Sequence, residues 1–302
     1  MDIFSRSAIQ AQKIQAIGLT VTDLERSLNF YTKALYFEVI SDITTEENTN
    51  SSAEISHSRI RTATLKLGDE QIRLMQYLDK KGDKKGQPIP KDSRSNDLWF
   101  QHLAIVVSNM NRAYAHLELF AIDPISTSPQ TMPLENQDAA GIQAFKFRDP
   151  DRHPLELIYF PPDKGQQKWH QTTDRLFLGI DHTAIAIANT KQSLNFYRDS
   201  LGMTVEGGSF NSGETQSRMD GLPDAKVQIT ALRPIQGGLG IELLDYHEPA
   251  HGRTVPVDLE RYDIAYMHIE LMVTGDDRTG LMRDPTGHFI LLIPALIPES
   301  KE

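Results

Sequence analysis

The chain has 302 residues, 39% of them apolar and 24% charged, a balance typical of folded globular proteins rather than disordered or membrane ones. A net charge of -10 without a long basic run argues against nucleic acid or an anionic membrane as partner. The absence of cysteine excludes disulfides, thiolate ligands and cysteine nucleophiles. No signal peptide pattern opens the chain, and no apolar run reaches about 18 residues. We therefore expect a cytoplasmic protein, either a monomer or a homodimer.

The chain opens with a strand followed by a helix. Residues 15–21 alternate in polarity, which predicts a strand. Thr22 and Glu25 then have the spacing of a capping box, and apolar residues recur at helical spacing after them. Two further alternating runs, 60–67 and 71–78, flank a Gly-Asp pair, which predicts a hairpin. The first unit is therefore predicted to be a βαβββ module.

Similar patterns open again at 101–107, 181–187 and 267–273, so we predict four modules. The second has a helical pattern at 111–119 and a closing hairpin at 144–160, whose turn contains Asp149-Pro150. The fourth closes through a matching Asp284-Pro285 turn. The sequence therefore predicts an α+β fold built from tandem βαβββ modules.

A duplication relates the two halves of the chain. The segment SLNFY at 27–31 recurs at 193–197, 166 residues further on, and the same offset carries His102 onto His268. We predict an N-terminal domain at 13–162, with modules at 13–80 and 98–162. We predict a C-terminal domain at 178–296, with modules at 178–248 and 264–296.

The fourth module is short. His102 and Arg148 are 46 positions apart, whereas His268 and Arg283 are only 15 apart, so about 31 residues are missing. Either a deletion occurred near 273–277, or the sequence omits residues that the protein has. We favour the second alternative, because losing a helix would uncover one face of the sheet.

Four phrases of this sequence, at 17–31, 145–160, 180–197 and 281–293, resemble the vicinal-oxygen-chelate superfamily of glyoxalases, bleomycin-resistance proteins and extradiol dioxygenases. The likeness covers roughly residues 13 to 295. It implies that two modules curl their sheets around one metal ion, with ligands from the first and last strand of each module. This scaffold hosts isomerases, lyases, ring-cleaving oxygenases and drug-sequestering proteins, so the fold does not name the reaction.

Carried over position by position, the resemblance gives four first-strand slots and four last-strand slots. The first-strand slots hold Ala16, His102, His182 and His268. The last-strand slots hold Arg73, Glu156, Glu242 and Leu291. Each glutamate shares a strand face with apolar residues, where a carboxylate is costly to bury without a cation or a hydrogen-bond partner. Metal ligands are therefore expected among His102, Glu156, His182, Glu242 and His268, for a divalent ion such as Fe, Zn, Ni or Mn.

Two module pairings remain open. Pairing module 3 with module 4 gathers His182, Glu242 and His268, a set that suits Fe(II) and an extradiol-type ring-cleaving dioxygenase. In those enzymes, however, the carboxylate comes from the fourth module, where this chain has Leu291. Pairing module 2 with module 3 instead gathers His102, Glu156, His182 and Glu242.

The second pairing resembles glyoxalase I, and it implies a metal that acts as a Lewis acid while a glutamate, Glu242 or Glu156, serves as general base. We favour it, because it uses every ligand of modules 2 and 3 and leaves the depleted modules 1 and 4 together. The predicted function is a metal-dependent lyase or isomerase acting on a small oxygen-bearing molecule. A non-catalytic small-molecule binding or resistance protein is the further alternative. Tyr77 and Tyr246 are expected at matching positions that line a pocket, although packing is the commoner role for such tyrosines.

Overall fold

The computed structural model describes residues 9–51, 54–78, 86–275 and 279–295. The helices are α1 (Leu24–Ala34), α2 (Met110–Leu117), α3 (Thr190–Leu194), which continues as a π-helix at Asn195–Ser200, and α4 (Gly213–Asp220), with a 3-10 helix at Gln167–His170. The strands of modules 1 and 2 are β1 (Gln10–Thr20), β2 (Glu38–Ser51), β3 (Glu54–Leu67), β4 (Glu70–Tyr77), β5 (Gln101–Val107), β6 (Asp123–Pro124), β7 (Gln130–Thr131), β8 (Gln143–Arg148) and β9 (Pro154–Tyr159). Those of modules 3 and 4 are β10 (Phe177–Ile187), β11 (Thr204–Ser212), β12 (Lys226–Arg233), β13 (Gly240–Glu248), β14 (Met267–Thr274), β15 (Gly280–Arg283) and β16 (Phe289–Pro294).

The strands form two mixed sheets, which confirms the predicted α+β fold. One sheet has the order β15-β16-β14-β1-β4-β3-β2, so it joins modules 1 and 4, and we call it the 1+4 sheet. The other has the order β11-β12-β13-β10-β5-β9-β8-β6, with β7 pairing with β8, and we call it the 2+3 sheet. Each sheet takes one module from each half of the chain. The division into domains at 13–162 and 178–296 follows the sequence duplication and stays a prediction.

Antiparallel first strands stand at the centre of both sheets. β1 pairs with β14 in one sheet and β10 pairs with β5 in the other. In every module the first strand also pairs in parallel with the last strand. This arrangement places the predicted ligand slots of two modules side by side at the middle of each sheet.

The start of α1 differs from the prediction. Asp23, not Thr22, is the N-cap, and its side chain accepts a hydrogen bond from the backbone N–H of Arg26. The Thr22 hydroxyl instead donates to Asp151, in the closing turn of module 2. The capping-box prediction was wrong because a contact distant in sequence occupies the threonine.

Module 4 passes from β14 to β15 through residues 275–279. Among the residues that the structure describes, no helix lies between these two strands. The preference for omitted residues over a deletion stays a prediction.

Two equivalent buried turns tie the modules of each half together. In the first, the Tyr31 hydroxyl donates to Asp149 at 3.1 Å, and the backbone N–H of His153 donates to the same carboxylate at 2.8 Å. In the second, the Tyr197 hydroxyl donates to Asp284 at 3.0 Å. The helix of an odd-numbered module is thus fastened to the closing turn of the next module.

We expect the contribution of His153 to stability to depend on pH. Burial lowers the pKa of His153, but the neighbouring Asp149 outweighs burial, so the pKa lies above its ordinary value of 6.5. The folded state then binds the proton more tightly than the unfolded state does. The stabilisation is present in full below about pH 6.5 and is lost as pH rises through the folded-state pKa.

Urea unfolding of the wild type and of His153→Gln over a pH series measures this effect. The difference in the free energy of unfolding should shrink as the pH is raised above about 6.5. A difference that does not vary with pH would contradict the expectation.

Candidate metal centre

The central strands of the 2+3 sheet bring both predicted His/Glu pairs to one place. Along β5, Ala104 lies opposite Glu156 of β9, and along β10, Ala184 lies opposite Glu242 of β13. On a strand, a residue shares its face with the residue two positions away, so each glutamate lies diagonally across from the histidine of its module. The alanine methyl groups leave room beside the carboxylates.

The ligand atoms of these residues lie close together. His102 Nε2 is 2.6 Å from Glu156 Oε2, and His182 Nε2 is 3.3 Å from Glu242 Oε2. Ligand atoms of His102, Glu156 and His182 all lie within 4.8 Å of one another. Two atoms bound to one ion at about 2.0–2.2 Å are at most about 4.4 Å apart, so the cluster is close to the required size.

Several buried side-chain atoms have no aligned hydrogen-bond partner in the described residues. Among them are both ring nitrogens of His102 and the Nε2 atom of His182, whose residues are only 1% and 3% exposed. The short distance to Glu156 is therefore a contact and not a directed hydrogen bond. A buried polar atom left unpaired costs about 1–3 kcal/mol, and a cation between these atoms would supply the partner. The residues present thus fit a divalent metal ion.

The pKa values of His102 and Glu156 favour the protonation states that bind a metal ion. Burial lowers the pKa of His102 to about 4, so its imidazole is neutral at pH 7. Burial raises the pKa of Glu156, but His102 and Lys146 outweigh burial and lower the pKa to about 2. A neutral imidazole and an ionised carboxylate are the forms that bind metal.

His182 and Glu242 form the second pair, and their pKa values shift in the opposite directions to those of His102 and Glu156. Burial lowers the pKa of His182, but Glu242 and Asp181 outweigh burial and raise it. The pKa of Glu242 is raised by burial, with a further rise from Glu156. A metal ion at this pair therefore competes with protons.

Asp181 orients His182. Its carboxylate lies 3.0 Å from His182 Nδ1, so this nitrogen is engaged and Nε2 faces the cluster. Trp169 Nε1 donates to Asp181 at 2.9 Å, and the Arg233 guanidinium donates to it at 3.0 Å. In metal sites, a histidine ligand commonly donates its other ring N–H to a carboxylate, which fixes the orientation of the ring.

The sequence did not indicate Asp181, because neighbouring residues on a regular strand point to opposite faces. The β10–β5 ladder has an irregularity between Ile180 and His182. Such bulges re-aim side chains, and here the bulge brings Asp181 to the side of His182. The sequence shows an aspartate directly before His182, but it does not show the bulge that turns this aspartate toward the imidazole.

We expect Asp181→Asn to weaken metal binding by about 10- to 100-fold, because it removes the charge that holds the His182 ring in its ligating orientation. Titration with Mn²⁺ or Zn²⁺ followed by calorimetry measures the dissociation constant. Asp199→Asn is the control, since Asp199 pairs with Arg198 on the exposed surface. Equal affinities in the two variants would contradict the positioning role.

In the 1+4 sheet, residues of other types surround the positions that correspond to the predicted ligands of the 2+3 sheet. His268 lies over Gly18, where an added Cβ would be 2.1 Å from the imidazole Cε1. Arg73, in the slot that Glu242 holds in module 3, pairs with Glu270 at 2.7 Å. Burial raises the pKa of Glu270, but the neighbouring His268 and the Arg73 guanidinium outweigh it and lower the pKa. A cationic guanidinium in a ligand slot disfavours a metal ion.

The structure therefore separates the predicted site residues into two groups. It brings together His102, Glu156, His182 and Glu242 in the 2+3 sheet. It does not bring His268 to His182 and Glu242, because β14 belongs to the other sheet. The ligand set expected from pairing modules 3 and 4 does not assemble.

The two predicted pocket tyrosines also separate. Tyr246 lies in the wall of a cavity of about 610 Å³ that is also lined by all four predicted ligands in the 2+3 sheet. Tyr77 lies in the 1+4 sheet, where its ring contacts Tyr262 edge-on at 6.3 Å. Only Tyr246 is therefore placed to reach a ligand bound at the His/Glu cluster.

The comparisons with known proteins identify the family. The sequence profile of the Glyoxalase/Bleomycin resistance protein/Dioxygenase superfamily matches residues 13–157 and 179–293. The chain therefore belongs to this superfamily, as the sequence predicted. An uncharacterized protein of Bacillus subtilis, YwkD, is 28% identical over 148 residues, covering 48% of this chain and 95% of that protein.

Two solved structures share the whole fold. Glyoxalase I from Zea mays has a TM-score of 0.53 at 12% identity, with 93% of this chain and 92% of that chain covered. A putative dioxygenase from Bacillus subtilis has a TM-score of 0.51 at 11% identity, with 94% of this chain and 85% of that chain covered. At these identities the likeness shows the fold alone. Among the described residues, no helix is long and apolar enough to cross a membrane.

Proposed function

We propose that this protein is a metal-dependent enzyme of the superfamily that acts on a small molecule carrying two neighbouring oxygen atoms. The observation that carries the proposal concerns the buried Nε2 atoms of His102 and His182. They lie beside two carboxylates at the wall of a cavity of about 610 Å³, without a hydrogen-bond partner in the part of the chain that the structure describes. His102, Glu156, His182 and Glu242 would hold the ion. A divalent metal bound there would supply Lewis-acid polarisation of a substrate carbonyl.

Glu242 is the carboxylate best placed to accept a proton from the substrate. Its side chain is 24% exposed, against 8% for Glu156. Burial raises its pKa, which brings the group closer to the range of an effective general base. Glu156, whose pKa is lowered to about 2, remains an ionised ligand. This division of roles favours isomerase or lyase chemistry of the glyoxalase type.

Proton abstraction can be tested directly in D₂O. We expect protein loaded with Zn²⁺, Ni²⁺ or Mn²⁺ to exchange the carbon-bound protons of a small hydroxyketone, such as hydroxyacetone, for deuterium. Glu242→Gln, which keeps the shape but removes the base, should lower the exchange rate by about 100-fold or more. Glu214→Gln is the control, because Glu214 lies exposed on α4 and pairs only with Arg218 in the described residues. Exchange is followed by NMR.

The alternatives predict other outcomes. His102, Glu156 and His182 also form a set of two histidines and one carboxylate, which suits Fe(II) oxygen chemistry. Oxygen uptake by the Fe(II)-loaded protein with catechols, without proton exchange, would contradict the general-base proposal and favour a dioxygenase. Ligand binding with neither reaction would favour a non-catalytic binding protein.

A further inference from the structure

Lys146 is a buried cation in the cavity wall that the proposed chemistry does not use. It lies on β8, directly opposite Glu156 of β9, and its side chain is only 5% exposed. Phe145 and Phe147, on the other face of the strand, pack in the apolar core. Lysine is almost never buried to this degree without a specific partner.

The partner is Asp220, at the end of α4. Lys146 Nζ donates to Asp220 Oδ1 at 2.6 Å. The other carboxylate oxygen accepts from Gln216 Nε2 at 2.6 Å and from the Tyr246 hydroxyl at 3.1 Å. Both oxygens of Asp220 are therefore engaged, and the carboxylate is fixed in position.

This arrangement keeps Lys146 charged. Its ammonium lies 2.6 Å from the fully buried Asp220 carboxylate, and an opposite charge at this distance favours the protonated amine. Replacing a buried ion pair by apolar residues is often neutral or stabilising, so such a pair is weak evidence for a stabilising role. A charged group held in a cleft beside a candidate metal site is better explained by ligand binding.

The Lys146 ammonium has more N–H donors than it has acceptors among the described residues. It carries three N–H groups, and within the described residues the structure gives it one hydrogen-bond acceptor, Asp220. Lys146 lines the same cavity as His102, Glu156, His182 and Glu242. An oxygen of a bound ligand could accept from the remaining N–H groups, and an anionic oxygen forms the stronger, charge-assisted hydrogen bond.

We propose that Lys146, held by Asp220, binds a carboxylate of the same small molecule whose neighbouring oxygens reach a metal ion held by the His/Glu cluster. The substrate class is then a small 2-oxo or 2-hydroxy acid. This inference rests on the proposed function, because it requires the ligand to occupy the His/Glu cluster. Asp220, Tyr246 and Gln216 act as positioning residues for the ammonium.

Two small probes with the same three-carbon skeleton test the inference. Pyruvate carries the carboxylate, and hydroxyacetone carries a neutral hydroxymethyl group in its place. Calorimetric titrations of the Mn²⁺-loaded full chain measure the dissociation constant of each probe. We expect Lys146→Met to weaken pyruvate binding by about 10-fold or more, since a charge-assisted hydrogen bond is lost, and to change hydroxyacetone binding less than about twofold.

Leaving Asp220 without its partner could disturb folding, so the double variant Lys146→Met/Asp220→Asn is measured beside the single one. It keeps a hydrogen-bonding group for Tyr246 and Gln216 and should show the same selective loss. Pyruvate binding that does not depend on Lys146, or an equal loss for both probes, would overturn the inference. Metal content is measured on the same samples. Absence of metal overturns the proposed function and this inference with it, whereas full metal content with Lys146-independent binding overturns this inference alone.

Discussion

Replacing His182 by alanine is expected to lower the affinity for a divalent metal by more than about 100-fold. Even the loss of a group behind a ligand costs about 10- to 100-fold, and His182 is placed as a ligand itself. Its Nε2 is buried, unpartnered in the described residues and 3.3 Å from Glu242. Elemental analysis of purified protein, followed by metal titration, measures both the stoichiometry and the affinity.

The duplication supplies a matched control for this prediction. His268 occupies the equivalent first-strand slot in module 4, but it lies in the 1+4 sheet near Glu270. His268→Ala should therefore leave the metal content unchanged. Full metal content in His182→Ala, or an equal loss in both variants, would contradict the assignment of the site to the 2+3 sheet.

Replacing Asp149 by alanine is expected to lower the free energy of unfolding by about 3–5 kcal/mol, the range typical of breaking a buried charged network. The Asp149 side chain is fully buried. It accepts hydrogen bonds from the Tyr31 hydroxyl and from the backbone N–H groups of Asp151 and His153. The substitution leaves these donors unpaired away from water.

The second half of the chain offers a parallel measurement. Asp284 accepts from the Tyr197 hydroxyl and from the backbone N–H groups of Gly287 and His288. Asp284→Ala should therefore destabilise the protein by a similar amount in urea unfolding. A loss below about 1 kcal/mol in either variant would show that the turn does not fasten the modules, since single hydrogen bonds contribute about that much.

The modules could be predicted from the sequence because each is a local pattern. Alternation marks the first strands, and the Asp-Pro turns mark the closing hairpins at Asp149 and Asp284. Which module pairs with which could not be deduced in the same way. All four first strands have similar alternation, so their pairing depends on contacts distant in sequence, such as Arg73 with Glu270.

The candidate ligands were found through the family resemblance, carried over in register with the repeat, whereas the residues that support them were not found. His102, Glu156, His182 and Glu242 stand in register with the module pattern. Asp181 reaches His182 only through a strand bulge. Asp220 reaches Lys146 only because α4, in a segment without a recognisable sequence pattern, folds against β8.

A crystal structure with Mn²⁺, using its anomalous scattering, tests the central claim most directly. We predict one strong anomalous peak in the 2+3 sheet, within about 2.0–2.3 Å of ligand atoms of His102, Glu156, His182 and Glu242. We predict no peak beside His268 and Arg73 in the 1+4 sheet. A peak at His268, or an empty His/Glu cluster at saturating Mn²⁺, would contradict the claim.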